Sequence, residues 1–184
     1  MNDSDRIRDE WLALRCQAGD VGAFEDLVAV MERPLLFYLS RLVGAEHEVL
    51  DVLQEVWIKA FRDIRHLRNP GSLRPWLYRI AHGLAVDHVR RDVSREHAEE
   101  VHAGFSEASE EISFSLADTD SMYHALGQLD PIHREVLMLH FLEDFSVAAI
   151  ADAVSCPEGT VKSRLYHAKR KMRSLLSGDP DASE

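Results

Sequence analysis

The segment FSVAAIADAVSCPEGTVKSRLYHAKRKM, residues 145–172, contains the clearest structural pattern in the chain. Its apolar spacing predicts a short helix over residues 147–154, a tight turn at Ser155 and Cys156, and a longer helix that begins at Pro157. In the second helix, apolar residues recur at steps of four, three and four, which predicts one buried stripe: Val161, Leu165, Ala168 and Met172. Two helices joined by such a turn predict a helix-turn-helix.

The other face of the second helix is polar and cationic. Its side chains suit a DNA major groove, because Lys and Arg neutralise phosphates while short or planar polar groups reach base edges. These residues are Lys162, Ser163, Tyr166, His167, Lys169 and Arg170, with Thr160 at the start of the helix. An ordinary surface helix can also carry several cations, but the preceding short helix and turn favour a DNA-binding unit.

The chain has a formal net charge of −11, which is unevenly distributed over its 184 residues. Residues 62–95 contain eight Arg and three Asp, whereas residues 96–120 contain eight Asp or Glu and no Lys or Arg. The acidic segment is rich in Ser and small residues and lacks sustained periodicity, which predicts a flexible linker; a solubilising loop is the alternative. We therefore expect two domains, residues 1–95 and 121–184, joined by an acidic linker over residues 96–120.

The predicted fold class is all-α, with two small helical domains, because no stretch alternates like a half-buried strand. Helical spacing of apolar residues occurs in eight segments: 11–18, 24–43, 49–61, 76–89, 122–129, 132–142, 147–154 and 158–176. Asp20 is predicted to cap the second helix. Asp130 precedes Pro131 and is predicted to supply a capping carboxylate to the sixth.

Composition also excludes several classes of protein. The first residues, MNDSDRIRDEW, are polar and acidic, unlike a signal peptide, and nowhere do eighteen apolar residues run together. We therefore expect a cytoplasmic protein without membrane insertion. The two cysteines, Cys16 and Cys156, have no further Cys or His cluster beside them, so we expect two core thiols and no zinc site.

The segment EVLDVLQEVWIKAF, residues 48–61, predicts a helix with one apolar stripe. At about 100° per residue, Asp51, Gln54 and Glu55 fall opposite that stripe. A patch of two carboxylates and an amide therefore faces outward. On sequence alone, an ordinary solvated face is the favoured interpretation of this patch, and an interface is the alternative.

The segment RNPGSLRPWLYRIAHGLAVDHVRR, residues 68–91, combines a chain-breaking loop with two aromatic residues and several arginines. This composition suits the stacking of exposed bases beside a phosphate track. Ile80 and Leu84 are expected in the core, while Trp76 is equally consistent with core packing and with base stacking.

These segments together resemble a bacterial RNA polymerase sigma factor of the small, two-domain extracytoplasmic-function type. The resemblance covers roughly residues 10–176, and its motifs are AFEDLV, LDVLQEVWIKAFRDI, LRPWLYRIAHGLAVDHVRR and LGQLDPIHREVLMLHFLEDFSVAAIADAVSCPEGTVKSRLYHAKRKM. It implies a non-enzymatic promoter-specificity subunit whose partners are core RNA polymerase and promoter DNA, with no cofactor. It leaves an anti-sigma factor open as a further partner.

The resemblance also implies roles for individual residues. Asp51, Gln54 and Glu55 match the helix that binds polymerase, and residues 67–73 match the loop that captures unpaired bases of the −10 element, here named the capture loop. The implied −10 positions are Leu67, Asn69, Ser72, Leu73, Trp76, Arg79, Gly83, Arg90 and Arg91. The implied −35 positions are Thr160, Lys162, Ser163, Tyr166, His167, Lys169 and Arg170. Residues 121–177 would also bind the polymerase flap.

The chain departs from the usual family pattern at four of these positions. Many relatives have Phe where this chain has Leu67 and Leu73, which affects base stacking. Relatives often have Asn at the position of Gly83, where it can read the upstream edge of the −10 element. His167 replaces a frequent Arg, which makes that contact less electrostatic and sensitive to pH.

Three other functions compete with this interpretation. A stand-alone helix-turn-helix regulator explains residues 145–173 but not the outward patch or the RPWLYRIA segment. A phosphohydrolase could use His82, Asp87 and His88 as metal ligands, but His82 and Asp87 diverge around a helix and no further ligand cluster supports them. A protein that binds polymerase without recognising promoters is the third.

Overall fold

The computed structural model describes residues 3–43, 45–99 and 120–177, and within these the side chains of residues 5–43, 45–91 and 124–176. The described ranges contain helices and no strand, so the all-α prediction is confirmed. The helices are α1 Asp3–Gln17, α2 Val21–Ser40, α3 Glu46–Asp63, α4 Leu73–Glu99, α5 Asp120–Gly127, α6 Pro131–Phe141, α7 Val147–Ala153 and α8 Glu158–Ser177. Two 3₁₀ turns, Ile64–His66 and Pro70–Ser72, lie between α3 and α4.

Chain contacts divide the protein into two compact units, the first built on α1–α4 and the second on α5–α8. Helix α4 continues to Glu99, so it includes four residues of the segment expected to be a linker. The linker residues from 100 to 119 lie outside the described part of the chain. No helix of that part is long and apolar enough to cross a membrane.

The core of the first unit is formed by the apolar stripes of α2, α3 and α4. In α2 the buried residues recur at helical spacing: Ala23, Leu27, Met31, Leu35, Tyr38 and Leu39. They face the predicted stripe of α3, where Val49, Leu53, Val56 and Ala60 are buried. Tyr38 meets Tyr78 of α4 edge to face, with 4.9 Å between ring centroids. Such aromatic pairs stabilise a core beyond the burial of their area.

The α1–α2 turn is held by Asp20, as predicted from the sequence. Its Oδ1 accepts a hydrogen bond from the backbone N–H of Ala23, 3.1 Å away, and so caps α2. Arg15 lies 2.6 Å from Asp20 Oδ2 through Nη2. Two hydrogen bonds lower the pKa of the Asp20 carboxyl. The larger effect comes from Arg15 and the next from the backbone N–H of Ala23. Gly19, with φ of +86°, supplies the left-handed residue that this turn needs.

The second unit is built around α8, which packs against α5 and α6. All four residues of its predicted stripe are buried: Val161, Leu165, Ala168 and Met172. Arg134 of α6 closes the α5–α6 turn by donating to the carbonyls of Leu126, Gly127 and Leu129 at 3.0, 2.7 and 2.9 Å. Three backbone acceptors on one guanidinium fix the start of α6.

The predicted cap of α6 is wrong in its chemistry. Asp130 occupies the N-cap position and Pro131 begins the helix, but the Asp130 side chain makes no capping hydrogen bond. Its carboxylate lies 3.4 Å from His133 Nδ1 instead. The backbone carbonyl of Asp130 accepts from the N–H groups of His133 and Arg134.

The predicted helix-turn-helix is present as α7, a tight turn and α8. Ser155 adopts φ of +51°, and the N–H of Cys156 donates to the carbonyl of Ala151 at 3.1 Å. The Pro157 carbonyl accepts from Thr160 and Val161, so Pro157 immediately precedes α8. Ile150 of α7 is buried.

The two cysteines differ in exposure. Cys16 is buried, and this burial raises the pKa of its thiol. Cys156 is only partly buried at the α7–α8 turn, where Arg164 Nη1 lies 3.8 Å from its Sγ. The prediction of a core thiol therefore holds for Cys16 and is wrong for Cys156.

Candidate nucleic-acid and polymerase interfaces

The outward face of α8 presents most of the predicted −35 residues to solvent. Lys162, Ser163, Tyr166, His167 and Lys169 are exposed, while Thr160 and Arg170 are partly buried. Tyr166 is 63% exposed, so its ring and hydroxyl are open to solvent. Exposed hydroxyl, amine and aromatic groups on this face can therefore contact a ligand without any rearrangement of the core.

Two predicted −35 residues have neighbours that the sequence did not indicate. Lys169 Nζ lies 5.1 Å above the centroid of the Phe141 ring of α6, which draws it towards one edge of the face. His167 lies between Tyr166, 5.4 Å away, and His133 of α6, 6.1 Å away, both measured between ring centroids. His133 thus joins this face from another helix, and helical periodicity within α8 could not have found it.

The outward patch of α3 contains the three predicted residues. Asp51, Gln54 and Glu55 are all exposed, opposite the buried stripe of the helix. Their exposure confirms the face assigned from helical spacing.

Sequence reasoning missed the apolar members of this surface. Leu50, Ile58 and Phe61 are each more than half exposed on α3. Ile58 follows Gln54 by four residues and Phe61 follows it by seven, so both continue its outward stripe. Apolar residues at these spacings on a polar face were the available signal. Exposed side chains of this size, beside carboxylates, are typical of protein interfaces.

The capture loop buries both of its leucines, and Trp76, three residues beyond it, is buried as well. Leu67 and Trp76 are each 9% exposed and Leu73 is 1% exposed, so all three pack into the first unit. Asn69 is exposed and organises the loop itself: its Oδ1 accepts from the Gly71 N–H at 3.1 Å, and its Nδ2 donates to Ser72 Oγ at 2.9 Å. The polar groups that this loop offers to a ligand are therefore Arg68 and Asn69, which are exposed, and Ser72, which is partly buried.

Beyond the loop, α4 carries the remaining −10 residues along one side. Arg79, Gly83, Arg90 and Arg91 are all exposed. Gly83 follows Arg79 by four residues and precedes Arg90 by seven, which places the three on one stripe. A Cβ added at Gly83 would have no neighbour within 4 Å. The stripe is thus cationic at both ends with a gap at its middle.

The second unit also contains an apolar groove of about 420 Å³. It lies between α5, α6 and α8, and its lining residues are Leu126, Leu137, Met138, Phe141, Leu142, Lys169, Met172, Arg173 and Leu176. Phe141, Leu142 and Leu176 are each about half exposed. This groove was not located from the sequence, because its walls come from three helices.

Two family descriptions match the chain, one in each unit. Residues 27–95 match "Sigma-70 region 2" and residues 119–172 match "Sigma-70, region 4". The chain is 34% identical over 181 residues to the RNA polymerase sigma-H factor of Pseudomonas aeruginosa, which covers 92% of this chain and 94% of the relative. The chain belongs to the sigma-70 family, extracytoplasmic-function type. It is a non-enzymatic sigma factor that directs RNA polymerase to promoter DNA.

Other relatives agree. The sigma factor is 32% identical over 178 residues to the ECF RNA polymerase sigma-E factor of Escherichia coli K12, covering 90% of this chain and 93% of that one. Among solved structures it resembles CnrH in complex with the cytosolic domain of CnrY, with a TM-score of 0.64, 25% identity and coverage of 94% and 99%. A stand-alone helix-turn-helix regulator does not account for the region 2 match.

The metal-dependent alternative has no support in the described residues. These contain no group of three or more His, Cys, Asp or Glu placed to hold a metal ion. His82 is partly buried whereas Asp87 is exposed, so the suggested ligands point to different environments.

Proposed function

We propose that this sigma factor recognises the −35 element through the outward face of α8. The observation that supports this most is the separation of two faces on one helix. Val161, Leu165 and Ala168 form its buried side, while Lys162, Ser163 and Tyr166 are exposed. The helix can therefore enter a major groove without loss of core packing, with Lys162 near phosphates and the short or planar groups near base edges.

The −10 element is assigned to the capture loop and the exposed stripe of α4. Because Leu67 and Leu73 are buried, their role is to shape the loop, and Arg68, Asn69 and Ser72 are the polar groups left to meet a separated base. Arg79, Arg90 and Arg91 then follow the phosphates of the adjoining duplex. Gly83, on the same stripe, presents only its backbone to the DNA, where relatives often have the side-chain amide of Asn.

Polymerase contacts are assigned to two surfaces, one in each unit. The α3 surface combines Asp51, Gln54 and Glu55 with exposed Ile58 and Phe61, which gives both charge complementarity and apolar contact area. The groove that includes Phe141 and Leu176 is a suitable site for the polymerase flap. Core polymerase performs the chemistry. This sigma factor acts within the holoenzyme, in the cytoplasm.

An anti-sigma factor is proposed as an inhibitory partner. The support comes from CnrH, whose solved complex contains the cytosolic domain of CnrY. A protein that co-purifies with the tagged chain from its native cells should inhibit transcription by the reconstituted holoenzyme, and excess sigma factor should relieve that inhibition. Inhibition that persists with excess sigma factor would contradict this role.

Run-off transcription tests the proposed function as a whole. Purified sigma factor and core polymerase are incubated with fragmented genomic DNA, and the start sites are mapped. We expect a small set of start sites with shared sequences near −35 and −10, absent without the sigma factor. Start sites without shared elements would contradict promoter recognition by this chain.

A further inference from the structure

Helix α1 ends at Gln17, ten residues before the segment that matches sigma-70 region 2. It nevertheless contacts both 3₁₀ turns between α3 and α4. The capture loop therefore rests on a helix from outside the matched region, and the two contacts described next fix the positions where the loop begins and ends.

The first contact is made by the side-chain amide of Gln17. Its Nε2 donates to the carbonyl of Leu67 at 2.6 Å and to the carbonyl of Ile64 at 3.3 Å. These acceptors lie in and directly after the first 3₁₀ turn, where the backbone leaves its helical path. A primary amide has two N–H donors, so one partly buried group can satisfy both carbonyls.

The second contact is a salt bridge between Asp9 and Arg74. Arg74 Nε donates to Asp9 Oδ2 at 2.5 Å, and Arg74 immediately follows the capture loop. Asp9 is only 6% exposed, and Arg8 adds a longer contact, 3.8 Å from Arg8 Nε to Asp9 Oδ1. A charge-assisted bond with little exposure is strong, and removal of one partner leaves the other charge buried.

We infer that α1 is a brace that holds the capture loop in the shape that accepts separated −10 bases, with Gln17 and Asp9 as positioning residues. This inference rests on the proposed −10 role of the loop. A loop held at both ends loses less conformational entropy when it binds, so the brace favours base capture without contact with DNA. It also assigns Arg74 to the brace, although its position beside the loop would suit a phosphate contact.

The first test replaces Gln17 by Met, which removes both donors but keeps the length and helix propensity of the side chain. The matched control is Glu10→Gln, an exposed position on the same helix. Holoenzyme is assembled with each full-length chain, and closed and open complexes are measured on a promoter mapped with the wild type. With Gln17→Met we expect open complexes, detected by permanganate, to fall about 2- to 100-fold, the range for one to two lost hydrogen bonds.

Polymerase affinity and closed-complex affinity should stay at their wild-type values in Gln17→Met. Glu10→Gln should match the wild type throughout. An equal loss of closed and open complexes, or wild-type open-complex formation, would overturn the brace.

Hydrogen exchange in the free protein provides a measurement that does not depend on a promoter. Gln17→Met should accelerate exchange of backbone amides in residues 67–73 while those of the α2–α3 core stay slow. Unchanged loop exchange would overturn the inference. If the wild-type holoenzyme forms no open complex on any genomic fragment, the proposed function fails, whereas the brace is still judged by this exchange.

Asp9 is tested with its partner. Asp9→Asn and Arg74→Gln should each lower open-complex formation, and the double variant should lose less than the product of the two single losses, because the bond between Asp9 and Arg74 is removed in each case. Losses that multiply in the double variant would show that the two residues act independently and would overturn their pairing.

Discussion

The outward face of α8 and the capture loop present their predicted DNA contacts in opposite ways. On α8, Lys162, Ser163 and Tyr166 project into solvent from a helix whose other side is core. In the capture loop, Leu67 and Leu73 are buried. The side-chain oxygen and nitrogen of Asn69 both form hydrogen bonds within the loop. One region is a row of side chains on a rigid support; the other is a backbone shape maintained by its own side chains and by helix α1.

This difference separates two kinds of functional residue. Substitutions on the outward face of α8 should change the affinity for DNA or the preference among bases and leave the free energy of unfolding nearly unchanged. Substitutions in the capture loop should change the fold or the shape of the loop first and recognition only through it.

The largest effect is expected at the α3 surface, which lies outside both regions and is required by both. Asp51→Arg combined with Glu55→Arg reverses the outward charge and should lower affinity for core polymerase by more than about 100-fold, since close like charges replace complementary ones. The matched control, Glu25→Arg with Glu32→Arg, makes the same charge change at exposed positions of α2. Co-purification of the α3 variant with core polymerase at wild-type levels would remove this assignment.

The next effect distinguishes buried from exposed contacts. Leu73→Ala should lower the free energy of unfolding by about 2–5 kcal/mol, because Leu73 is fully buried. Tyr166→Ala should change it by no more than about 0.5 kcal/mol, as is usual for surface positions. Urea unfolding of both variants measures this contrast. A neutral Leu73→Ala together with a destabilising Tyr166→Ala would reverse the division between the two regions.

Within α8, Ser163 and Lys162 should behave differently. If Ser163 makes one good base contact, Ser163→Ala should change the preference at one or two −35 bases by about 1–3 kcal/mol. Lys162→Ala should weaken all promoters alike and reduce the salt slope of binding by about one. Promoter-library binding at several salt concentrations separates the two. Uniform weakening by Ser163→Ala would identify Ser163 as a phosphate contact instead.

The smallest effect is expected at Gly83. Gly83→Ala should stabilise the protein by roughly 0.5–1 kcal/mol, since an exposed mid-helix glycine costs conformational entropy and the added methyl has open space. Gly83→Asn should sharpen selectivity at the upstream edge of the −10 element, as in relatives that have this amide. Thermal unfolding and start-site mapping provide the measurements. Destabilisation by Gly83→Ala would mean that the glycine fulfils a backbone requirement that the helix geometry does not indicate.

Helical periodicity explains how much could be predicted from the sequence. It located the eight α-helices of the described residues and both faces of α3 and α8, because a residue on a helix has its direction fixed by its spacing from neighbours. It could not indicate that Gln17 and Leu67, fifty positions apart, share a hydrogen bond, or that His133 lies beside His167. Such contacts depend on how helices pack, and local spacing carries no information about that.

The capture loop shows the same limit within a short segment. The RNPGS breaker correctly marked an interruption between two helices, and the resemblance supplied a role for the residues around it. Whether Leu67 and Trp76 point inward or outward depends on α1 and the core beneath them. Asp130 is a smaller example. Its N-cap position was predictable, but the contact of its carboxylate with His133, in place of a backbone N–H, was not.

The apolar side chains on α3 have a thermodynamic consequence for holoenzyme assembly. When Leu50, Ile58 and Phe61 leave water, the heat capacity of the complex falls below that of the separate proteins. The enthalpy of association then becomes more favourable as temperature rises, while the carboxylates nearby make the early encounter sensitive to salt. Salt should therefore slow the electrostatic encounter with polymerase, and cooling should weaken the hydrophobic contacts that hold the bound complex together.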